Sequence, residues 1–147
     1  ALIDPLIDYE TESLHEYSSQ GIKEICKYLS FNTTVISDND NYLPLEKELD
    51  DLYTSKDSPT IPKKVFRVIK MCRKEKADVF INAIGGKALY DKALFKEYGI
   101  SLSFVQSDLA SYPQFANEFY PGLSIIDVLM HNEKSEVVKF VNEIQLL

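Results

Sequence analysis

The sequence predicts an α/β fold: a small, mostly parallel three-stranded sheet flanked by helices. Three observations predict it. Segments with apolar residues at helical spacing alternate with short β-rich segments along the 147-residue chain. Residues 78–105 read as strand, glycine turn, helix, strand, the order of a parallel crossover unit. Gly99 then separates that helix from Ile100, Leu102 and Phe104, whose alternation marks a strand with one apolar face.

Residues 9–29 read as the first helix, with Leu14, Tyr17, Ile22, Ile25, Cys26 and Leu29 at roughly helical spacing and Thr11 or Glu12 marking its start. Gly21 disfavours the helix by about 1 kcal/mol, which leaves two shorter helices as an alternative. Residues 33–37 (TTVIS) are β-branched and short, and read as a strand. A turn-rich stretch, SDNDNYLP, follows, and residues 45–53 read as a short acidic helix whose charges form a solvated face. Residues 54–62 hold two prolines and form a loop that ends where a helix begins. Residues 63–75 are that helix, with Val65, Val68, Ile69 and Cys72 on one side. Residues 78–82 are a strand broken by Gly85-Gly86; a helix from Tyr90 or Asp91 to Tyr98 and a strand over 100–105 complete the crossover. Residues 123–130 and 135–144 read as helices separated by His131-Asn132.

Composition narrows the function. A chain of 147 residues fits one domain, and 45% apolar content supports a real core. Sixteen basic against 23 acidic residues give a net charge of −7, without the basic face of a nucleic-acid binder. No apolar run reaches the ~20 residues that span a bilayer, so membrane insertion is not expected. Cys26 and Cys72 lack CxxC spacing and read as small buried hydrophobes. Two such thiols and the lack of a secretory leader fit a cytoplasmic protein. His15 and His131 have no companion ligands at metal-site spacing, so no metal is expected.

Two motifs carry more. I-N-x-I-G-G-K-x-L-Y-D at 81–91 precedes Y-x-Q-F-x-N-E-F-x-P-x-L-S-I-I-D-V-L at 112–129, and L-Y-D-x-x-x-F-x-x-x-G-I-x-L-x-F joins them. The set resembles the WbqC-like family over most of the chain, most strongly after residue 60. That family is bacterial and tied to O-antigen and other surface-polysaccharide synthesis. The resemblance implies group transfer onto a sugar or sugar nucleotide. The alternative it leaves open is a non-catalytic binding or assembly module accompanying glycosyltransferases. The family's Q-P-x-x-x-P segment has no counterpart here and the chain starts at Ala1, so it reads as the C-terminal portion of such a protein.

The candidate site follows from topology. Parallel strands joined by right-handed crossovers place their C-terminal ends on one edge, where open α/β sheets bind ligands. Residues 82–87 and 106–119 leave strands at that edge, so the two motif loops are expected to converge on a sugar, a sugar nucleotide or another small anionic ligand. Gly85 and Gly86 allow positive φ and close backbone approach; with a helix starting beyond them and Lys87 beside them, they outline an anion site, or else only a tight turn. Neither GxxxxGK[ST] nor GxGxxG is present, and no cofactor is assigned. Asn82 reads as a ligand amide or a turn cap. Tyr90 reads as core. Arg67 reads as a bidentate partner for phosphate or carboxylate, or as one half of an ion pair with Asp127 or Glu118. Tyr112, Gln114 and Glu118 suit a polar ring, with Phe115 and Phe119 as the loop's buried anchors. Ser124 reads as a helix cap. Asp127 lies in an apolar helix and requires a donor, with Arg67, Tyr90 or a backbone amide as candidates; it reads as such a structural tie or else as a ligand-binding carboxylate able to act as a general base. No residue is assigned to catalysis.

Overall fold

A computed structural model describes every residue except Ala1, Asn39, Asp108, Leu109, Ala116 and Asn117. The chain divides into two compact units, one from Ala1–Asp38 and Asp108–Glu143, the other from Asn39–Ser107 and Ile144–Leu147. The described part is mostly helical, with a small mixed three-stranded sheet and flanking helices.

The second unit holds the sheet. Helix α3 (Leu43–Thr54) buries Leu45 and Leu49, one turn apart. Helix α4 (Lys63–Lys74) buries Val65, Ile69 and Cys72, the i, i+4, i+7 row that the sequence marks as its apolar side. The acidic residues of α3, expected to face only solvent, pair with the basic residues of α4. Glu46 meets Arg67, Glu48 meets Lys70 at 2.6 Å, and Asp50 meets Lys63. Strand β1 (Val79–Ala83) runs parallel to β2 (Ser101–Ser107), with Phe80 opposite Leu102 and Asn82 opposite Phe104. Between them lie a 3-10 turn (Ile84–Ala88) and helix α5 (Lys92–Glu97), as the crossover reading requires. Gly99 ends α5 at φ 76°.

Phe80, Leu102 and Phe104 meet α4 and α5 in one core around Ile69 and Phe95. Phe80 and Phe95 stack with ring centroids 5.5 Å apart, and Tyr90 packs edge-on against both.

The third strand is not where the sequence places it. Residues 33–37 are irregular, and the strand that completes the sheet is β3 (Ile144–Leu146), antiparallel to β2. The sheet is therefore mixed, with one parallel pair. β-Branched residues favour a strand only where a neighbouring strand offers a ladder, and 33–37 has none. Residue 144 reads in sequence as helical, yet the last helix stops at Asn142 and the chain extends to pair with β2.

The first unit is helical. It contains α1 (Ile3–Ile7), α2 (Leu14–Leu29), α6 (Ile125–His131) and α7 (Lys134–Asn142). Helix α2 starts five residues later than the sequence pattern implies, because Ser13 caps it: its hydroxyl accepts from Glu16 N at 3.2 Å, while the Glu16 carboxylate takes the Thr11 hydroxyl at 2.6 Å. Gly21 does not break it. Of its expected apolar row only Leu29 is buried, and Leu14 is 80% exposed.

Candidate functional site

The two motif loops fall in different units. In the second unit, β1 delivers Asn82 and the glycine turn at the strand's C-terminal end. Asn82 caps its own turn: Oδ1 accepts from Ala83 N at 2.9 Å. Neither Gly85 nor Gly86 takes a positive φ. Glycine at 86 leaves room for the Asn82 amide, which a Cβ there would push aside; at Gly85 a Cβ would meet nothing within 4 Å. The close approach foreseen at Gly86 is therefore already occupied by Asn82. The turn itself is a short 3-10 segment, and the helix beyond it begins only at Lys92, capped by the Asp91 carboxylate on Leu94 N at 2.8 Å. Lys87 is exposed.

Arg67 has another partner. Its Nη2 donates to Glu46 Oε2 at 2.7 Å, and Nε lies 2.6 Å from the other carboxylate oxygen. The Nε–H is not aimed at that oxygen, so the second contact is ionic only. Neither partner expected from sequence, Asp127 or Glu118, is the one it uses.

In the first unit Asp127 is a meeting point. Ser124 caps α6 by accepting from Ile126 N at 3.2 Å, which sets Asp127 in the first turn, where the helix dipole favours a carboxylate. Oδ2 of Asp127 accepts from the Tyr112 hydroxyl at 2.7 Å and from Gln114 Nε2 at 3.3 Å. Its Oδ1 lies 3.6 Å from Nε2 of His131. The carboxylate has the donor that an apolar helix face requires, but through Tyr112 and Gln114 and not through Arg67 or Tyr90.

Gln114 also clamps its own loop, donating to Tyr120 O at 3.1 Å and accepting from Tyr120 N at 2.9 Å. Glu118 is exposed, and Ala116 and Asn117 of the same motif lie outside the described residues.

The aromatic roles are exchanged relative to the sequence reading. Tyr112 is the buried anchor, 9% exposed and edge-on to Phe119, whereas Phe115 is 93% exposed. The Phe115 ring nevertheless lies 4.5 Å from the His131 ring. Burial, and then the hydrogen bond to the Asp127 carboxylate, push the Tyr112 phenol above its ordinary value, so the phenol stays a donor across the neutral range.

His131 is the residue that the sequence reading passed over. The available signal was its spacing from Asp127: four residues along a helix put both side chains on one face. The result is a carboxylate 3.6 Å from an imidazole, with an exposed aromatic ring beside it. Such a pair can hold hydroxyls and move a proton.

Among the described residues no group of three or more His, Cys, Asp or Glu is placed to hold a metal. Cys72 is buried, which raises its thiol, and both cysteines are free. No described helix is long and apolar enough to cross a membrane.

Comparison with known proteins matches residues 1–139 to the WbqC-like protein family, nearly the whole chain. No curated protein and no solved structure matches it.

Proposed function

Because the chain belongs to the WbqC-like protein family, we propose that it binds the ring of a sugar or sugar nucleotide and serves group transfer on it in surface-polysaccharide synthesis. The observation that carries this is the set on the first unit: the exposed Phe115 ring, His131 beside it, and the Asp127 carboxylate 3.6 Å from His131. An aromatic face offers an apolar platform for a ring, and a few convergent polar groups fix its orientation. His131 is the proton-transfer residue in this reading, and Asp127 and Tyr112 position it. Gln114 holds the loop closed and does not touch the ligand. The glycine turn with Asn82, Lys87 and Arg67 is a scaffold element.

The test is a thermal-shift screen of full-length protein against sugar nucleotides, free nucleotides and sugars, followed by calorimetry on the ligand that raises the melting temperature. Phe115→Ala is expected to leave the melting temperature unchanged and to weaken that ligand by about 1 kcal/mol or more. His131→Gln is expected to keep binding and lose turnover. A screen without a stabilising ligand, or Phe115→Ala binding as wild type does, defeats the reading.

A second reading has one observation in its favour. Leu14, Tyr17 and Ile22 of α2 are exposed apolar side chains along one helix, as in a non-catalytic assembly module beside glycosyltransferases.

A further inference from the structure

Charge divides this chain unevenly. Residues 1–38 and 108–143, the first unit, hold thirteen acidic residues, four lysines and no arginine, a net charge of −9. Residues 39–107 and 144–147, the second unit, hold twelve basic against ten acidic residues, a net charge of +2. The cluster of Phe115, His131 and Asp127 therefore lies in the anionic unit. Its own segment, residues 108–133, contains four carboxylates and neither lysine nor arginine.

The four lysines of that unit are engaged elsewhere. Lys23 Nζ donates to Ser37 Oγ at 2.6 Å, Lys27 lies 3.8 Å from Glu24, and Lys139 lies 4.0 Å from Glu143. Lys134 donates to Ser30 Oγ at 2.8 Å and sits over the Tyr28 ring at 5.6 Å. A phosphate at the cluster would meet a field of its own sign and, within the segment, no cationic side chain to neutralise it.

The groups at the cluster are suited to a donor. Oδ2 of Asp127 takes the Tyr112 and Gln114 donors. Oδ1 has no hydrogen-bond donor among the described residues, with His131 Nε2 3.6 Å away. The Asp127 side chain is 29% exposed, so a ligand can reach that oxygen. The Phe115 ring is 93% exposed and presents the negative face of its quadrupole. A ring hydroxyl uses one such acceptor. An ammonium brings three donors, is drawn to carboxylate and aromatic face alike, and gains from the charge of the unit.

We propose that the cluster takes a ring carrying a protonated amine, with Asp127 Oδ1 and the Phe115 face as the partners of the ammonium, and that it rejects a phosphorylated ring. The proposal rests on the ring-binding reading of the same cluster and names the class of ring.

An NMR titration of the full chain at low salt tests it, with glucosamine, N-acetylglucosamine, glucose and glucose 1-phosphate as probes. Glucosamine is expected to bind about threefold or more tighter than glucose and N-acetylglucosamine, the scale of an exposed cation–π contact, and to lose that margin at high salt. Glucose 1-phosphate is expected to bind more weakly than glucose. Phe115→Leu keeps an apolar side chain and removes the aromatic face. Asp127→Asn keeps an acceptor for Tyr112 and removes the charge. Each variant, its folding checked by melting temperature, is expected to shrink the glucosamine margin. Equal affinity for glucosamine and N-acetylglucosamine, or a margin unchanged in both variants, overturns the amine assignment. Glucose 1-phosphate binding more tightly than glucose, and losing that binding in Phe115→Ala, also overturns it while leaving the ring-binding reading in place. Binding of none of the four probes defeats both.

Discussion

The two units solve the burial of apolar residues differently. In the second, helix and strand faces close on one another, and Ile69, Phe95 and Leu49 are fully buried. In the first, half of the apolar row of α2 stays exposed, and the loop after β2 is held by polar contacts to a helix: Tyr112 and Gln114 on Asp127. One unit is thus organised by area removed from water, the other in good part by directed hydrogen bonds. The first kind of order tolerates no cavity; the second leaves a side chain such as Phe115 exposed.

The largest expected effect tests the closed core. Phe95 has no exposure and touches Phe80 and Tyr90, so Phe95→Ala should cost about 3–5 kcal/mol in denaturant unfolding. A loss below ~1 kcal/mol would mean that the second unit is not packed as described.

Next comes the polar tie. Tyr112→Phe keeps the ring and removes the hydroxyl donor to Asp127, which should cost roughly 1.5 kcal/mol, the lower range for a hydrogen bond to a charged group. The effect has a pH signature. The folded phenol titrates above its unfolded value of 10.0, so its contribution is complete below about that pH and is lost as pH rises through the folded value. Stability curves of wild type and Tyr112→Phe should therefore converge in the alkaline range. Parallel curves up to the highest accessible pH would sink the assignment.

The glycine turn should respond more weakly. Gly86→Ala sets a methyl against the Asn82 amide, which can swing away only by giving up its bond to Ala83 N; about 1 kcal/mol is expected. Gly85→Ala, with open space at the Cβ, should be neutral or slightly stabilising. In an Asn82→Ala background the Gly86→Ala cost should shrink, and a double-mutant cycle reads that coupling directly. Strict additivity would show that something other than Asn82 excludes a side chain at 86.

The comparison also explains what was legible in the sequence. Periodicity, a glycine stop and alternating strand residues are local signals, and the crossover from Val79 to Ser107 is a local structure; it appears as read. Partner choice is not local. Nothing in residues 33–37 says that no strand will lie beside them, and nothing in residues 144–146 says that β2 will. Arg67 was legible as a cation needing a partner, but Glu46, 21 residues away, became visible only when α3 packed on α4. Asp127 was legible as a carboxylate needing a donor, and its partner His131 was within reach of the helical repeat. Tyr112 and Phe115 were not separable, because which ring of an aromatic loop turns inward depends on the hydroxyl that finds Asp127.

The smallest effect sharpens the contrast most. Leu14 belongs to the apolar row of α2 by spacing, and periodicity alone assigns it the same role as Val65 in α4. It is 80% exposed where Val65 is 3% exposed. Leu14→Ser exchanges an exposed apolar side chain for a residue of slightly lower helix propensity, directly after the Ser13 cap. The expected change in unfolding free energy is within about 0.5 kcal/mol. Val65→Ser, equally conservative on paper, should lose several times more, since it leaves a cavity and buries a hydroxyl. Measured side by side in urea, the pair asks whether the two apolar rows differ in solution as they do in the structure. A loss for Leu14→Ser matching that of Val65→Ser would place Leu14 in a packed interior and erase the distinction between the units.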